Sequence, residues 1–296
     1  MRYTDNSESF GLFLVFLAGT LWGTIGVFVK EMESCGATSA QISFLRMFFA
    51  VLILTLLTVC RFGLRAFLIG RKTLFSCALL GLICHGIYNI CYSLAVTLTG
   101  VSVSAVLLNI APVFTFLLSV LLFSETVTRA KLFAILLNVV GCILTVTGGS
   151  ANALRLSLTG ILCGIAAGFC YSLTAIIGRL ASDGANSFVI SAYSYLFASL
   201  FLFLSLLFQK TPAPISPGLA VTGFLYALLP TSLGYLLYYH GVSKIRETGR
   251  VPVFASMETV VSALIGIFVY KEELGAIHLL GILLVLLSIL WMNRRS

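Results

Sequence analysis

The stretch GVSVSAVLLNIAPVFTFLLSVLLFSETVTRAKLFAILLNVVGCILTVTGG runs from Gly100 to Gly149 and holds two long apolar runs joined by a short charged turn. The same plan closes the chain from Glu247 to Asn293. Shifted by 147 residues, Glu125 falls on Glu272, Val113 on Val260, Leu117 on Leu264, Leu132 on Leu279 and Ile135 on Ile282. Few positions match, so the rest of the chain has to carry the case for a repeat.

Composition restricts the class. Of the 296 residues, 59% are hydrophobic and only 9% charged, and the mean hydropathy is +1.09. A soluble globule carries about 25% charged residues, so this chain lacks the polar surface to coat one and reads as an all-α integral membrane protein. The net charge of +8 comes from Lys and Arg residues scattered between apolar runs, which fits loops on the inner face of a membrane and gives no basic face for nucleic acid. Cys77, Cys84, Cys91, Cys142, Cys163 and Cys170 lie inside apolar runs without a CxxC spacing, the pattern of small packing residues. The polar start MRYTDNSESF is followed by a run without a small-residue cleavage site, and that run is expected to be a retained first span.

A spanning helix needs about 20 apolar residues. Ten runs approach that length: 10–29, 39–60, 74–97, 101–123, 131–148, 157–178, 187–208, 219–243, 248–269 and 274–292. With the N-terminus inside, thirteen Lys and Arg residues fall on the inner side and only Lys30, Arg155, Lys210 and Lys271 on the outer side. Both termini are therefore expected in the cytoplasm, in a multi-pass protein of the cytoplasmic membrane.

Comparing runs one to five with runs six to ten extends the repeat. GTLWG at Gly19 to Gly23 parallels GFCYS at Gly168 to Ser172, and Lys30 parallels Arg179, both at a shift of 149. Tyr92 and Ala95 parallel Tyr238 and Gly241 at a shift of 146. Five is odd, so the second half must enter the membrane the opposite way. The expected architecture is ten transmembrane helices as two inverted five-helix repeats, residues 1–150 and 151–296, a plan characteristic of transporters.

Polar side chains inside the runs name the candidate site, because such groups are expensive in hydrocarbon and tend to face a cavity or a neighbouring helix. His85, Tyr88, Asn89 and Tyr92 share one helical face, and Thr231, Tyr235 and Tyr238 repeat that stripe in the eighth run. At about 1.5 Å per residue, Trp22, His85 and Glu258 all lie near the bilayer centre. Glu258 is the one carboxylate deep in a run, a candidate proton carrier or cation contact. Asn109 and Tyr171 join Trp22, His85, Tyr88, Asn89, Tyr235, Tyr238 and Glu258 as candidate substrate contacts. Arg46, about 10 Å from the outer end of its run, is a candidate charge that can snorkel. Pro112 and Pro230 each remove a backbone donor and are candidate hinges that kink their helices. Gly19 with Gly23, and Gly160 with Gly164 and Gly168, are spaced for close helix packing.

On these residues the chain resembles the EamA-type members of the drug/metabolite transporter superfamily. The resemblance covers all ten runs: Trp22 with its small neighbours, Arg46, Pro112 followed by the acidic turn at Glu125, and Glu258 followed by Glu272. It departs where Thr259 replaces a Pro often found after the second-half Glu, and where Ser124 and Lys271 stand in place of Gly before the acidic turn residue. The resemblance implies a secondary exporter of small metabolites or amino acids, with a cavity lined by runs one, three, four, six, eight and nine. It also implies that runs five and ten lie at the edge, leaving Asn138 outside the cavity.

The expected partners are thus a small-molecule substrate, the lipid bilayer and a second copy of the chain as a homodimer, with no nucleic acid. No cofactor or metal is expected beyond proton coupling, and no enzymatic activity: no GxxxxGK[ST] loop occurs, and the close acidic pairs Glu31 with Glu33 and Glu272 with Glu273 fall in outer loops. The alternatives are a drug, nucleobase or cofactor transporter of the same fold, a channel, or an intramembrane lipid-modifying enzyme.

Overall fold

The computed structural model describes residues 5–99, 104, 107–147, 157–207, 214–270 and 275–294. Among the described residues there is helix and no strand. Among the described residues, seven segments are long and apolar enough to cross a membrane: Ser7–Ser34, Ser39–Phe62, Arg71–Val96, Arg129–Thr147, Leu158–Ser182, Ser187–Leu207 and Pro217–Val242. Ala111–Phe123 and Ala276–Met292 are shorter apolar helices. Lys271 and Glu272, the second copy of the charged turn, lie outside the described residues, as do residues 100–103 of the opening stretch.

The helices, in order, are α1 (Asp5–Trp22), α2 (Ile25–Ser34), α3 (Ser39–Phe62), α4 (Arg71–Leu79), α5 (Tyr88–Thr99), α6 (Ala111–Phe123), α7 (Arg129–Thr147), α8 (Leu158–Ser182), α9 (Ser187–Leu207), α10 (Pro217–Tyr226), α11 (Gly234–Val242), α12 (Val251–Ala255), α13 (Met257–Phe268) and α14 (Ala276–Arg294). Their outer surface is apolar: Leu121, Leu158 and Phe268 are more than 70% exposed. Such a surface suits lipid and would be an aggregation liability in water.

Several of the runs expected to be single helices are interrupted near mid-depth. Between α4 and α5 the chain winds into a wide π turn over Leu80–Ile87, and between α10 and α11 into another over Ala227–Leu233. The two turns lie at equivalent positions under the 146-residue shift. Only the second contains a proline. Pro230 cannot donate to Tyr226, and the Thr231 hydroxyl takes over, donating to the Tyr226 carbonyl at 2.9 Å. In the first turn the Asn89 amide donates to the His85 carbonyl, so an amide side chain rather than a hydroxyl satisfies the loosened backbone.

The fourth and ninth runs are broken outright. The kink expected within a helix at Pro112 is instead a helix start: the chain turns at Asn109 and Ile110, and Pro112 occupies the first turn of α6, where its missing donor is not needed. The ninth run breaks at Ser256, equivalent to Asn109 under the 147-residue shift, although no proline follows. Here the Ser256 hydroxyl donates back to the Val253 carbonyl at 2.6 Å and accepts from the Asn138 amide at 2.6 Å.

Small residues let the helices meet closely. A methyl group added at Gly19 would strike the Ala255 backbone, one at Gly23 would strike Val261, and one at Gly141 would strike the backbone of α14 at Gly281 and Val285. Gly160, Gly164 and Gly168 pack on Leu98, Thr99 and Leu107 in the same way. The expected packing role of these glycines therefore holds, through van der Waals contact that hydrophobicity alone cannot supply in lipid.

Contacts between helix ends define two faces. Glu8, Glu125, Lys131, Arg179, Glu247 and Arg250 meet at one end. Lys30 lies over the Tyr270 ring at 3.6 Å at the other, where Met32, Ala37, Ile42 and Leu45 pack on Leu219 and Tyr226 in a small separate core.

Thr231→Val removes the donor to the Tyr226 carbonyl while keeping the side-chain shape. The expected cost is about 1 kcal/mol, seen as a lower midpoint of thermal unfolding in detergent. An unchanged midpoint would mean that the π turn needs no side-chain repair.

Candidate functional site

The mid-depth interruptions converge on one aromatic cluster. The Trp22 ring, at the end of α1, packs on Tyr235 and Tyr238 of α11 at centroid distances of 4.7 and 5.1 Å. His85, in the first π turn, meets Tyr235 edge-on at 5.0 Å and Tyr195 of α9 at 5.2 Å. Its Nε2 lies 3.5 Å from the Tyr239 hydroxyl. All of these are buried: Trp22 is 3% exposed, His85 1% and Tyr238 4%. Trp22, His85, Tyr235 and Tyr238, four of the residues singled out from the sequence, thus form a closed wall.

The remaining candidates lie beside that wall. Tyr88, Asn89, Tyr171 and Glu258 lie deep among the helices yet are half-accessible. Tyr88 stacks on Tyr92 at 5.9 Å and approaches Tyr171 at 5.8 Å. The Tyr171 hydroxyl donates to Glu258 Oε2 at 3.4 Å. Asn109, at the break before α6, is half-buried beside α8. Asn89 is tied into the frame: besides its bond to His85, its Oδ1 accepts from the Ser43 hydroxyl at 3.1 Å.

The two charges near mid-depth, Glu258 and Arg46, sit at structurally meaningful places. Glu258 is in the first turn of α13, where unpaired backbone amides and the helix dipole favour a negative group. The break at Ser256 creates that helix start, so the fold itself makes a mid-membrane carboxylate tolerable. Arg46 departs from the snorkelling expectation. It is 8% exposed and points inward, with NH1 donating to the Tyr226 hydroxyl at 2.8 Å and the guanidinium 5.1 Å from that ring. Turning inward exchanges lipid for a phenol and a π face. Its Nε has no hydrogen-bond partner, and among the described residues no carboxylate lies within ion-pair distance of it.

Tyr195, Tyr226 and Tyr239 complete the cluster and were not singled out in the sequence. Tyr239 follows Tyr235 by one helical turn, and Tyr226 is the residue whose carbonyl Pro230 releases; both signals were readable. Tyr195 had none, since α9 carries no repeated polar stripe. Asn138 also has a place. From α7 it donates to Ser256 and to Ser288 of α14, holding the break that positions Glu258. Among the described residues no group of His, Cys, Asp and Glu could hold a metal ion.

The polar, aromatic cluster lies between broken helices, and the chain matches the EamA-like transporter family over residues 9–147 and again over 158–294. The chain belongs to that family. A curated relative, described as an uncharacterized transporter of Archaeoglobus fulgidus, is 28% identical over 284 residues, spanning 95% of each chain. A solved crystal structure shares the fold with a TM-score of 0.80 at 16% identity, covering 95% of this chain and 96% of the other. The protein is therefore a multi-pass membrane transporter.

Within this EamA-like transporter, the Arg46–Tyr226 bond is expected to be energetically coupled. A double-mutant cycle of Arg46→Leu and Tyr226→Phe should give a coupling of about 1–3 kcal/mol in unfolding, the range for a hydrogen bond to a charged group. Additive effects would mean that the guanidinium takes its support elsewhere.

Proposed function

We propose that the chain is a secondary active transporter that exports small organic metabolites or amino acids across the cytoplasmic membrane by alternating access through the central cavity. The observation that carries this reading is the convergence of helix interruptions at equivalent positions of the two halves: π turns at Leu80–Ile87 and Ala227–Leu233, and breaks at Asn109 and Ser256. Discontinuous helices at mid-membrane are where carriers of the inverted-repeat type hold solute and coupling ion. The double match to one family, once in each half, supports ten spans arranged as two inverted five-helix repeats. The count of Lys and Arg supports an inner position for both termini.

In this reading Tyr88, Asn109, Tyr171 and Glu258 contact the solute, while Trp22, His85, Tyr235 and Tyr238 form the wall behind it. The breaks preceding Pro112 and containing Pro230 are the hinges. Glu258 exchanges a proton with the cavity in step with solute. The aromatic lining suits flat or cationic groups through stacking and cation–π contact.

Counterflow in proteoliposomes against a panel of amino acids, nucleobases and organic cations tests the reading. Saturable flux that falls at least about tenfold in Tyr171→Ala is expected, since a lost solute contact worth about 1.4 kcal/mol changes affinity tenfold. Absence of saturable flux for every solute would refute it. Glu258→Gln should abolish flux driven by a pH gradient and leave solute exchange in place; an intact response to the gradient would rule out Glu258 as the proton carrier. The sidedness has its own check. In a cysteine-free background, Thr126→Cys should label from the cytoplasmic side and Ile215→Cys from the outside, and labelling of both from one side would overturn the topology.

A further inference from the structure

Beneath the charged residues of the Glu125 end the bundle is tightly packed, whereas several positions around and beyond Glu258 are accessible. On the packed side Val15, Ala18, Cys77, Leu80 and Val253 are fully buried. Beyond the level of Glu258, Thr24, Tyr92 and Thr259 are half-accessible and Ser262 is exposed. Ser262 lies one turn beyond Glu258 on the same face of α13. The accessible positions near Glu258 therefore lie toward the end that carries Lys30 and Tyr270.

Glu125 ties the closed end together. The chain leaves α6 through Ser124 in the left-handed region, at φ 51°, a conformation that costs a residue with a side chain about 1–2 kcal/mol. That turn delivers the Glu125 carboxylate onto two other elements. Oε1 accepts from the Thr248 amide at 2.6 Å and from Arg179 NH1 at 2.9 Å; Oε2 accepts from the Gly249 amide at 3.1 Å. Arg179 also donates to the Thr248 hydroxyl at 2.6 Å and stacks over Phe123 at 4.1 Å. Gly249 is required for the approach, because a methyl group there would press on Ser119, Phe116 and Glu125. The Glu125 side chain is 6% exposed.

The geometry points to Glu125, with Arg179 and the Thr248–Gly249 amides, as the latch that holds the cytoplasmic end of the transporter shut. Three helices meet at this one carboxylate: the end of α6, the end of α8 and the turn that starts α12. Two of them, α6 and the α12–α13 pair, begin or resume at the mid-depth breaks, so they are the pieces free to swing on the cavity side. Opening inward requires the carboxylate to release two backbone amides and a guanidinium together. Lys131–Glu247 and Arg250–Glu8 surround the latch, and Glu8, Glu125, Arg179, Glu247 and Arg250 line a polar vestibule of about 690 Å³ at this end. This assignment rests on the alternating-access reading, and it names gate residues distinct from the cavity and from the two prolines.

Accessibility exchange tests it without a known solute. In a cysteine-free protein in liposomes, Val15→Cys reports the closed half and Ser262→Cys the open half. With Glu125 intact, an impermeant maleimide should label the second from outside and leave the first protected from the cytoplasmic side. Adding Glu125→Ala should speed labelling at position 15 at least about tenfold and slow it at position 262, since loss of the latch shifts one two-state population. Arg179→Gln should move both reporters in the same directions by less. If neither reporter responds, or if both label faster as in a loosened bundle, the latch is refuted. Because the readout needs no flux, failure of counterflow would count against the carrier reading alone.

Discussion

In hydrocarbon, a backbone carbonyl that loses its helical partner has no water to turn to. Each interruption in this chain therefore has to be repaired by protein. Thr231 serves the carbonyl released by Pro230, the Asn89 amide serves His85, and Ser256 serves Val253. The repairs are local, and they are made by the polar residues that otherwise look like a substrate stripe. One face of the third and eighth runs thus does two jobs. Asn89 and Thr231 keep the backbone satisfied, which leaves the aromatic members of the stripe to shape the cavity.

The same constraint explains how two opposite charges persist near the centre of the bundle without forming an ion pair. Glu258 is placed at a helix start that exists only because the ninth run breaks at Ser256, and the break is pinned by Asn138 of α7. Arg46 is held by a tyrosine hydroxyl and ring. Had the two met as a direct pair, their mutual attraction would have been stronger, but the cavity would lose both its charges to each other. Keeping them apart costs stability and leaves each able to answer an incoming group.

The helical class, the membrane setting and the alternation of runs were legible in composition and in the Lys and Arg count, because lipid imposes a strong constraint on segment length and charge. The family was legible in short motifs in the right order. The breaks were harder. Pro112 and Pro230 signalled irregular backbone, yet the first became a helix start and the second a π turn, since which occurs depends on whether a neighbouring side chain can serve the freed carbonyl. Leu80–Ile87 has no proline and Ser256 precedes none, so those interruptions carried no local signal and were visible only by analogy with the other half. The inward turn of Arg46 was hidden for a related reason: distance to the membrane face allows snorkelling, but the phenol that holds the side chain comes from residue 226, 180 positions away. Tyr195 was missed because it contributes a lone aromatic from a helix that is otherwise packing.

The departures from the family pattern also acquire a physical reading. Ser124 stands where a Gly is common, and it adopts the left-handed conformation that Gly takes without penalty. The chain tolerates the strain because the turn delivers Glu125 to two backbone amides and Arg179, and those charge-assisted bonds exceed the cost of one strained residue. Thr259 replaces a Pro after Glu258, and the break survives because Ser256 and Asn138 do by hydrogen bonding what Pro does by removing a donor. A hydrogen-bonded break can re-form as helix if its partners separate, whereas a proline break cannot. The two halves therefore share interruptions at matching depths but differ in how reversibly each is held, and the ninth run, which carries Glu258 and is joined at its inner end to the Glu125 latch, is the more adaptable of the pair.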